Sequence, residues 1–334
     1  MYTTTTLATS HRPRMSIDRL QAHASSHSFS LDQFDFASPI QRDKFFLCPT
    51  LTPLYYTGSY HKLTPRQVVR YNQITGMCFN ELIALFEDSF ANTALQALRT
   101  RQHRAALPGE VLHCLEQFTD EERKHCEMWR RLNRLSEPAW YQQTDRHIIR
   151  VPAAARLALR LLARRPHLFP AVIWTMLALE EHSMEISRRC ARTEAELEPR
   201  YALAYRLHME EEVRHVHIDW HLLERFYFDC PSPLRAINAR LFRLIMSRFF
   251  LRPVNAAARV INLLIREYPE LEEHRATMIG ELRALDGNEE YQRMMYSRSA
   301  TPITFALFDG LPEFHDMGRV MRQYEPLAPG GSAR

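Results

Sequence analysis

Two four-residue strings constrain this chain more than anything else in it: Glu122-Arg123-Lys124-His125 and Glu212-Val213-Arg214-His215. Three residues of separation on an α-helix is about 300°, so the Glu and His of each string share one face. Both strings sit inside apolar stripes. Leu115, Phe118, Glu122, His125, Trp129 and Leu132 follow three-four spacing in one stretch; Tyr201, Tyr205, His208, Glu212, His215 and Leu222 do so in the other. A polar group within an apolar stripe is informative, because a helix that buries it must supply a partner. Another Glu-x-x-His, Glu110 to His113, lies about 120° around the helix from Glu122 and cannot face the same core.

The rest of the chain reads as helices. Thr64 is a ready N-cap with Pro65 at the first helical position, and helical periodicity runs on to Arg101. Further helices are predicted over 110–135, 152–164, 168–194 and 199–228, then over 232–249, 253–267, 269–284 and 287–298. Prolines or glycines stand at most of the breaks. No stretch alternates with period two long enough for a sheet. Nine glycines in 334 residues also argue against a loop-rich β fold. The expected fold is all-α, a ferritin-like four-helix bundle core with additional flanking helices. The expected organisation is an irregular or disordered arm over 1–45, one helical domain over 46–315 with its core at 65–230, and a flexible tail over 316–334.

The same stripe test finds acids on the other two long helices. Ile83, Glu87, Phe90 and Ala94 form a seam that buries Glu87 and leaves Glu81 on another face. Trp174, Leu177, Glu181 and Met184 form a seam that favours Glu181 over its neighbour Glu180. Two Glu-x-x-His pairs plus one Glu from each of two further helices are the donor set of a two-metal carboxylate site. A carboxylate can bridge two cations about 3.5–4 Å apart while imidazoles terminate each ion. The expected metal ligands are therefore Glu87, Glu122, His125, Glu181, His208, Glu212 and His215. Asp219, four residues after His215, is placed to hydrogen-bond a ligand imidazole. Cys126 reads as a packed thiol.

The order Glu87, Glu122-x-x-His125, Glu181, His208-x-x-x-Glu212-x-x-His215 resembles the di-iron arylamine N-oxygenases. The added His208 separates that family from ferritins and other bundles with the paired plan. The resemblance covers residues 65–230. It implies two Fe ions, with Mn or Zn as substitutes, and dioxygen as co-substrate. It further implies oxidation of a small-molecule amine to a hydroxylamine, nitroso or nitro group in natural-product biosynthesis, with a ferredoxin or reductase as electron donor. A related di-metal oxidase acting at carbon is the competing enzyme reading, and a non-catalytic iron-binding bundle is the third.

Composition excludes several other classes. A net charge of +4 without basic clusters interleaved with aromatics gives no nucleic-acid surface. No apolar run reaches the ~20 residues that span a bilayer, so no membrane association is expected. Six scattered cysteines without a Cys-x-x-Cys pair suit a reducing compartment, and a cytoplasmic location is expected. The helices after residue 230 suggest a homodimer.

Overall fold

The structure, a computed structural model, describes residues 14–100, 107–250 and 254–327. Helix α1 spans Ile17–Ser26, α2 Pro65–Phe86, α3 Asn92–Thr100, α4 Gly109–Ser136 and α5 Ala153–Ala163. Helix α6 spans Ala171–Arg192, α7 Pro199–Leu223, α8 Ser232–Ile245 and α9 Val254–Glu267. Helices α10 (Arg275–Ala284), α11 (Glu289–Met295) and α12 (Pro302–Asp309) complete the order. No strand occurs among the described residues; an isolated parallel bridge joins Phe45 to Leu197.

The core is a ferritin-like bundle of α2, α4, α6 and α7. Helix α2 packs on α4, α6 packs extensively on α7, and α4 meets α7. Helix α2 starts as its sequence requires. The Thr64 side chain accepts from the Gln67 backbone while the Gln67 side chain returns to the Thr64 N–H, a reciprocal capping box with Pro65 at the first position. Pro199 likewise opens α7, capped by the Glu198 carboxylate.

Between α2 and α3 the helix does not stop but widens into a π-helical turn at Glu87–Ala91. Two more π turns follow α7 (Glu224–Phe228) and α8 (Met246–Phe250). Such turns recur at functional sites because they re-aim a side chain without breaking the helix.

The flanking helices turn α6 into a central element. Helices α8 and α12 pack on its outer side, while α7 covers the inner one. Ala171 through Ala178 are all buried as a result, with Trp174 set among Tyr227, Phe242, Phe308 and Phe314.

Two expectations about the ends are corrected. Residues 14–45 are not a loose arm: irregular over most of 27–45, they carry α1, which docks on α4 and α7, and Leu20, Ala24, Phe29 and Phe34 are buried. The segment after 316 is not a loose tail over its described part, since Met317, Met321 and Tyr324 are buried and Asp316 pairs with Arg243. Helix α12 itself was not expected from the sequence. Residues 1–13 of the expected arm, Arg101 at the expected end of the first long helix, Pro253 and residues 328–334 lie outside the described residues.

Candidate metal centre

Six of the seven expected ligands meet in the middle of the bundle. Glu87, Glu122, His125, His208, Glu212 and His215 are each no more than 1% exposed. One oxygen or nitrogen from each of Glu87, His125, His208 and Glu212 falls within a 4.8 Å cluster; so does one from each of Glu122, His125, Glu212 and His215. The two groups share His125 and Glu212. The π turn supplies Glu87, α4 supplies Glu122 and His125, and α7 supplies His208, Glu212 and His215.

The contacts inside the cluster have the character of a metal site more than of a hydrogen-bond network. Glu212 Oε1 lies 2.9 Å from His208 Nε2 and 3.4 Å from His125 Nδ1, yet it makes no aligned hydrogen bond. Its other oxygen faces His215 Nδ1 at 3.1 Å. The two oxygens of one carboxylate thus point at different imidazoles. Both oxygens of Glu122 and Nδ1 of His125 are buried without a hydrogen-bond partner. Orphaned buried acceptors of this kind are costly unless a cation joins them.

The electrostatics agree. Burial, followed by the charge on Glu87, pushes Glu122 up to about 8. Burial would push Glu212 up too, but the facing His208 and His215 hold it well below the ordinary range. His208 resists its own burial and rises to about 10 because Glu212 and Glu87 face it. Protons are distributed here among groups that converge on common points, the role a dication takes over.

Glu181 is the correction. Its carboxylate leaves the cluster and accepts from the backbone N–H groups of Ile303 at 2.6 Å and Thr304 at 2.8 Å, anchoring the N-terminus of α12. Glu180 takes the inner position. It is 2% exposed, faces Glu212 and Glu122, and carries an unpartnered oxygen. Burial and those two neighbouring carboxylates push it well above the usual range. The reason lies in α6, which is buried on every side over Ala171–Ala178. The Trp174, Leu177, Glu181 seam exists, but it faces α8 and α12 rather than the bundle axis. Glu81 is confirmed off the site: it accepts from Tyr141 Oη and the N–H groups of His147, Ile148 and Ile149.

Glu121 and Glu211 were missed by sequence reasoning. Glu211 on α7 lies 2.8 Å from His125 Nε2 on α4. Glu121 on α4 lies 2.9 Å from His215 Nε2 on α7. Each helix therefore orients the other's imidazole and turns its Nδ1 inward. Lys124 holds Glu211 at 2.5 Å, and the buried Arg214 holds Glu121 at 2.5 Å. The pattern Glu-Glu-x-Lys/Arg-His, present on both helices, was the signal. Asp219 does not play that part: both its oxygens lack a hydrogen-bond partner. Cys126 is a packed thiol, donating weakly to Ala84 O and Glu87 Oε2.

The arm closes one side. The Phe29 ring lies parallel to His125 at 5.8 Å and its N–H donates to Glu211 Oε1. Lys124 reaches the Phe29 carbonyl, and Arg214 reaches the His27 carbonyl and His23 Nδ1. The other side opens on a cavity of ≈130 Å³ reached by Glu87, Glu180 and His208 and walled largely by aromatic and aliphatic side chains.

Fold and site together define a ferritin-like helical protein with a buried carboxylate–imidazole cluster suited to two metal ions. The family model described as P-aminobenzoate N-oxygenase AurF matches residues 11–307, most of the chain. The protein belongs to that family, a family of oxygenases. No curated protein matches the chain in sequence.

Proposed function

We propose that the protein is an oxygen-dependent di-iron enzyme that oxidises the nitrogen of a small-molecule amine. Membership of the family over residues 11–307 carries this reading. The donor set supports it. Glu87, Glu122, Glu180 and Glu212 supply four carboxylates, the charge that two dications cancel, and His125, His208 and His215 supply three neutral nitrogens. Glu212, whose two oxygens face different imidazoles, would be among the residues that hold the metal. Iron, if held by these residues, would supply the reduction of dioxygen.

The chain's own residues do the rest. Glu211 and Glu121 accept the Nε2 protons of His125 and His215, which fixes the tautomer that offers Nδ1. Phe118 stacks on His215 at 3.7 Å and Phe29 covers His125, keeping water from that side. Glu87, Glu180 and His208 face the cavity, so the substrate nitrogen is delivered there. In the first oxidation one oxygen atom joins the nitrogen; the other leaves as water with two protons and two electrons from a donor protein of the ferredoxin or reductase class.

The test is anaerobic loading with ferrous iron, exposure to oxygen, and mass spectrometry of amines after turnover. Two irons per chain, an oxygen-dependent visible band and oxygen on nitrogen are expected. Oxygen found on carbon alone would leave a di-iron oxidase and remove the N-oxygenase assignment.

A further inference from the structure

The proposed oxidation draws two electrons from a donor protein, and one face of the molecule has the chemistry to receive it. Helix α5 (Ala153–Ala163) lies against the π turn at Glu87–Ala91 and against α3. Its inner side chains Leu159 and Leu162 pack on the core, and Ala163 is buried. Helices in contact stand about 8–10 Å apart, axis to axis, so α5 is the layer that covers the turn carrying Glu87.

The outer side combines apolar surface with unpaired charge. Leu157 is 57% exposed, Leu161 52% and Leu168, just beyond the helix, 54%; these are three of the six large apolar side chains exposed among the described residues. The same stretch exposes Arg150, Arg156, Arg160, Arg164 and Arg165. None of the five forms an ion pair among the described residues, and the segments outside them contain no Asp or Glu. From Arg146 to Leu179 there are six arginines, no lysine and no acid. That charge of +6 exceeds the +4 of the whole chain, so the basic character is confined to this stretch. An exposed apolar patch rimmed by charge marks an interaction site, and unpaired arginines steer an acidic partner to it. A two-fold contact with a second copy would instead set these arginines against one another. Eleven helical residues are about 16 Å long, a small footprint of the kind that brief electron-transfer encounters use.

We propose that the outer face of α5, with the turn that follows it, is the docking surface for an acidic one-electron donor protein of the ferredoxin class. Each docking oxidises the donor's reduced cluster by one electron and reduces the metal centre by one. Two dockings supply the two electrons that, with two protons, leave the second oxygen atom as water. The proposal rests on the reading of the centre as an oxygen-dependent oxidase, and adds to it the place where its electrons enter.

The probe is an acidic plant-type [2Fe–2S] ferredoxin, titrated by calorimetry at low ionic strength into the full chain, both metal-free and iron-loaded. Binding should weaken steeply as salt is raised. Arg156→Glu with Arg160→Glu should weaken it at least about tenfold, and Leu157→Ser with Leu161→Ser about threefold or more. Arg206→Glu with Arg319→Glu, two exposed arginines on other elements, makes the same change in net charge and should alter binding less than about twofold. In stopped flow, reduction of the ferric-loaded chain by reduced ferredoxin should slow in step with binding in the α5 variants, while reduction by dithionite should not change. No binding to the parent, binding that the α5 variants leave intact, or binding that the control pair weakens as much overturns the proposal. So does a parent that sediments with phosphatidylserine vesicles and loses that property, but not ferredoxin binding, in the α5 variants; the face would then be a membrane surface. Product analysis separates this proposal from the reading beneath it. Amine oxidised on nitrogen with dithionite as electron source, and no ferredoxin bound, removes the docking surface and leaves the N-oxygenase standing; ferredoxin bound and oxidised, with oxygen found only on carbon, does the reverse.

Discussion

Glu180 and Glu181 are adjacent, both acidic and both buried, yet the structure gives them opposite duties. Consider Glu181→Ala and Glu180→Ala, each prepared metal-free and iron-loaded. Glu181 receives two backbone N–H bonds at 2.6 and 2.8 Å from α12. Hydrogen bonds to a charged acceptor contribute about 1.5–3 kcal/mol each, so losing both costs on the order of 3 kcal/mol at the low end. Burial lifts this carboxyl to about 7, opposed by the Thr304 and Ile303 N–H groups, so the low end is the fair choice near neutrality. Large domains lose about 2 °C per kcal/mol, which places the metal-free Tm of Glu181→Ala roughly 6 °C below the parent. Its iron content should stay at two per chain. Glu180→Ala removes a buried acid whose charge is relieved only by a cation, so its metal-free Tm should not fall. Its iron content should drop toward one. Differential scanning calorimetry and elemental analysis read both quantities. Loss of iron from Glu181→Ala with an unchanged metal-free Tm, alongside full loading of Glu180→Ala, would refute the assignment.

Three other outcomes are expected. Glu121→Gln and Glu211→Gln, which leave imidazoles wrongly oriented, should each lower iron affinity about 10–100-fold in chelator competition; unchanged affinity would deny them a positioning role. Burial, then His221 and Arg19, lower His217 to about 4, and its Nδ1 accepts from the Met15 N–H. A depressed histidine contributes stability fully above 6.5 and loses it as pH falls toward 4, so hydrogen-exchange protection in residues 14–29, relative to the intrinsic rate at each pH, should fall across that window and be flattened by His217→Asn. A methyl at Gly76 would meet Phe46 Cβ at 2.7 Å, so Gly76→Ala should cost about 1–3 kcal/mol in denaturant unfolding.

Much of this architecture was legible in the residues. Thr64-Pro65 and Pro199 announced their helices because caps and proline act locally. The Glu-x-x-His strings were legible because each sets two polar residues at three-residue spacing inside an apolar stripe, and the motif occurs twice. The same rule failed on α6, whose two buried faces give periodicity nothing to choose between. The partner that decides the matter, α12, is eight residues long and lies far along the chain. The arm was missed because its Ser- and His-rich composition resembles a solvated tail, while its docking depends on Lys124 and Arg214 a long way off in sequence. Glu121 and Glu211 were hidden by their more conspicuous neighbours, Glu122 and Glu212.

The π turn at Glu87–Ala91 has a bearing on how this chain is laid beside others. A π turn accommodates one residue more than the α-turn it replaces. A helix of uniform pitch drawn through Glu87 would therefore leave Ala94, Leu95 and Leu98 out of step with their buried positions by about 100°. Any comparison with a bundle that lacks the turn needs a one-residue gap between Glu87 and Asn92. A gap set elsewhere would align the first acidic residue of the cluster with a bystander.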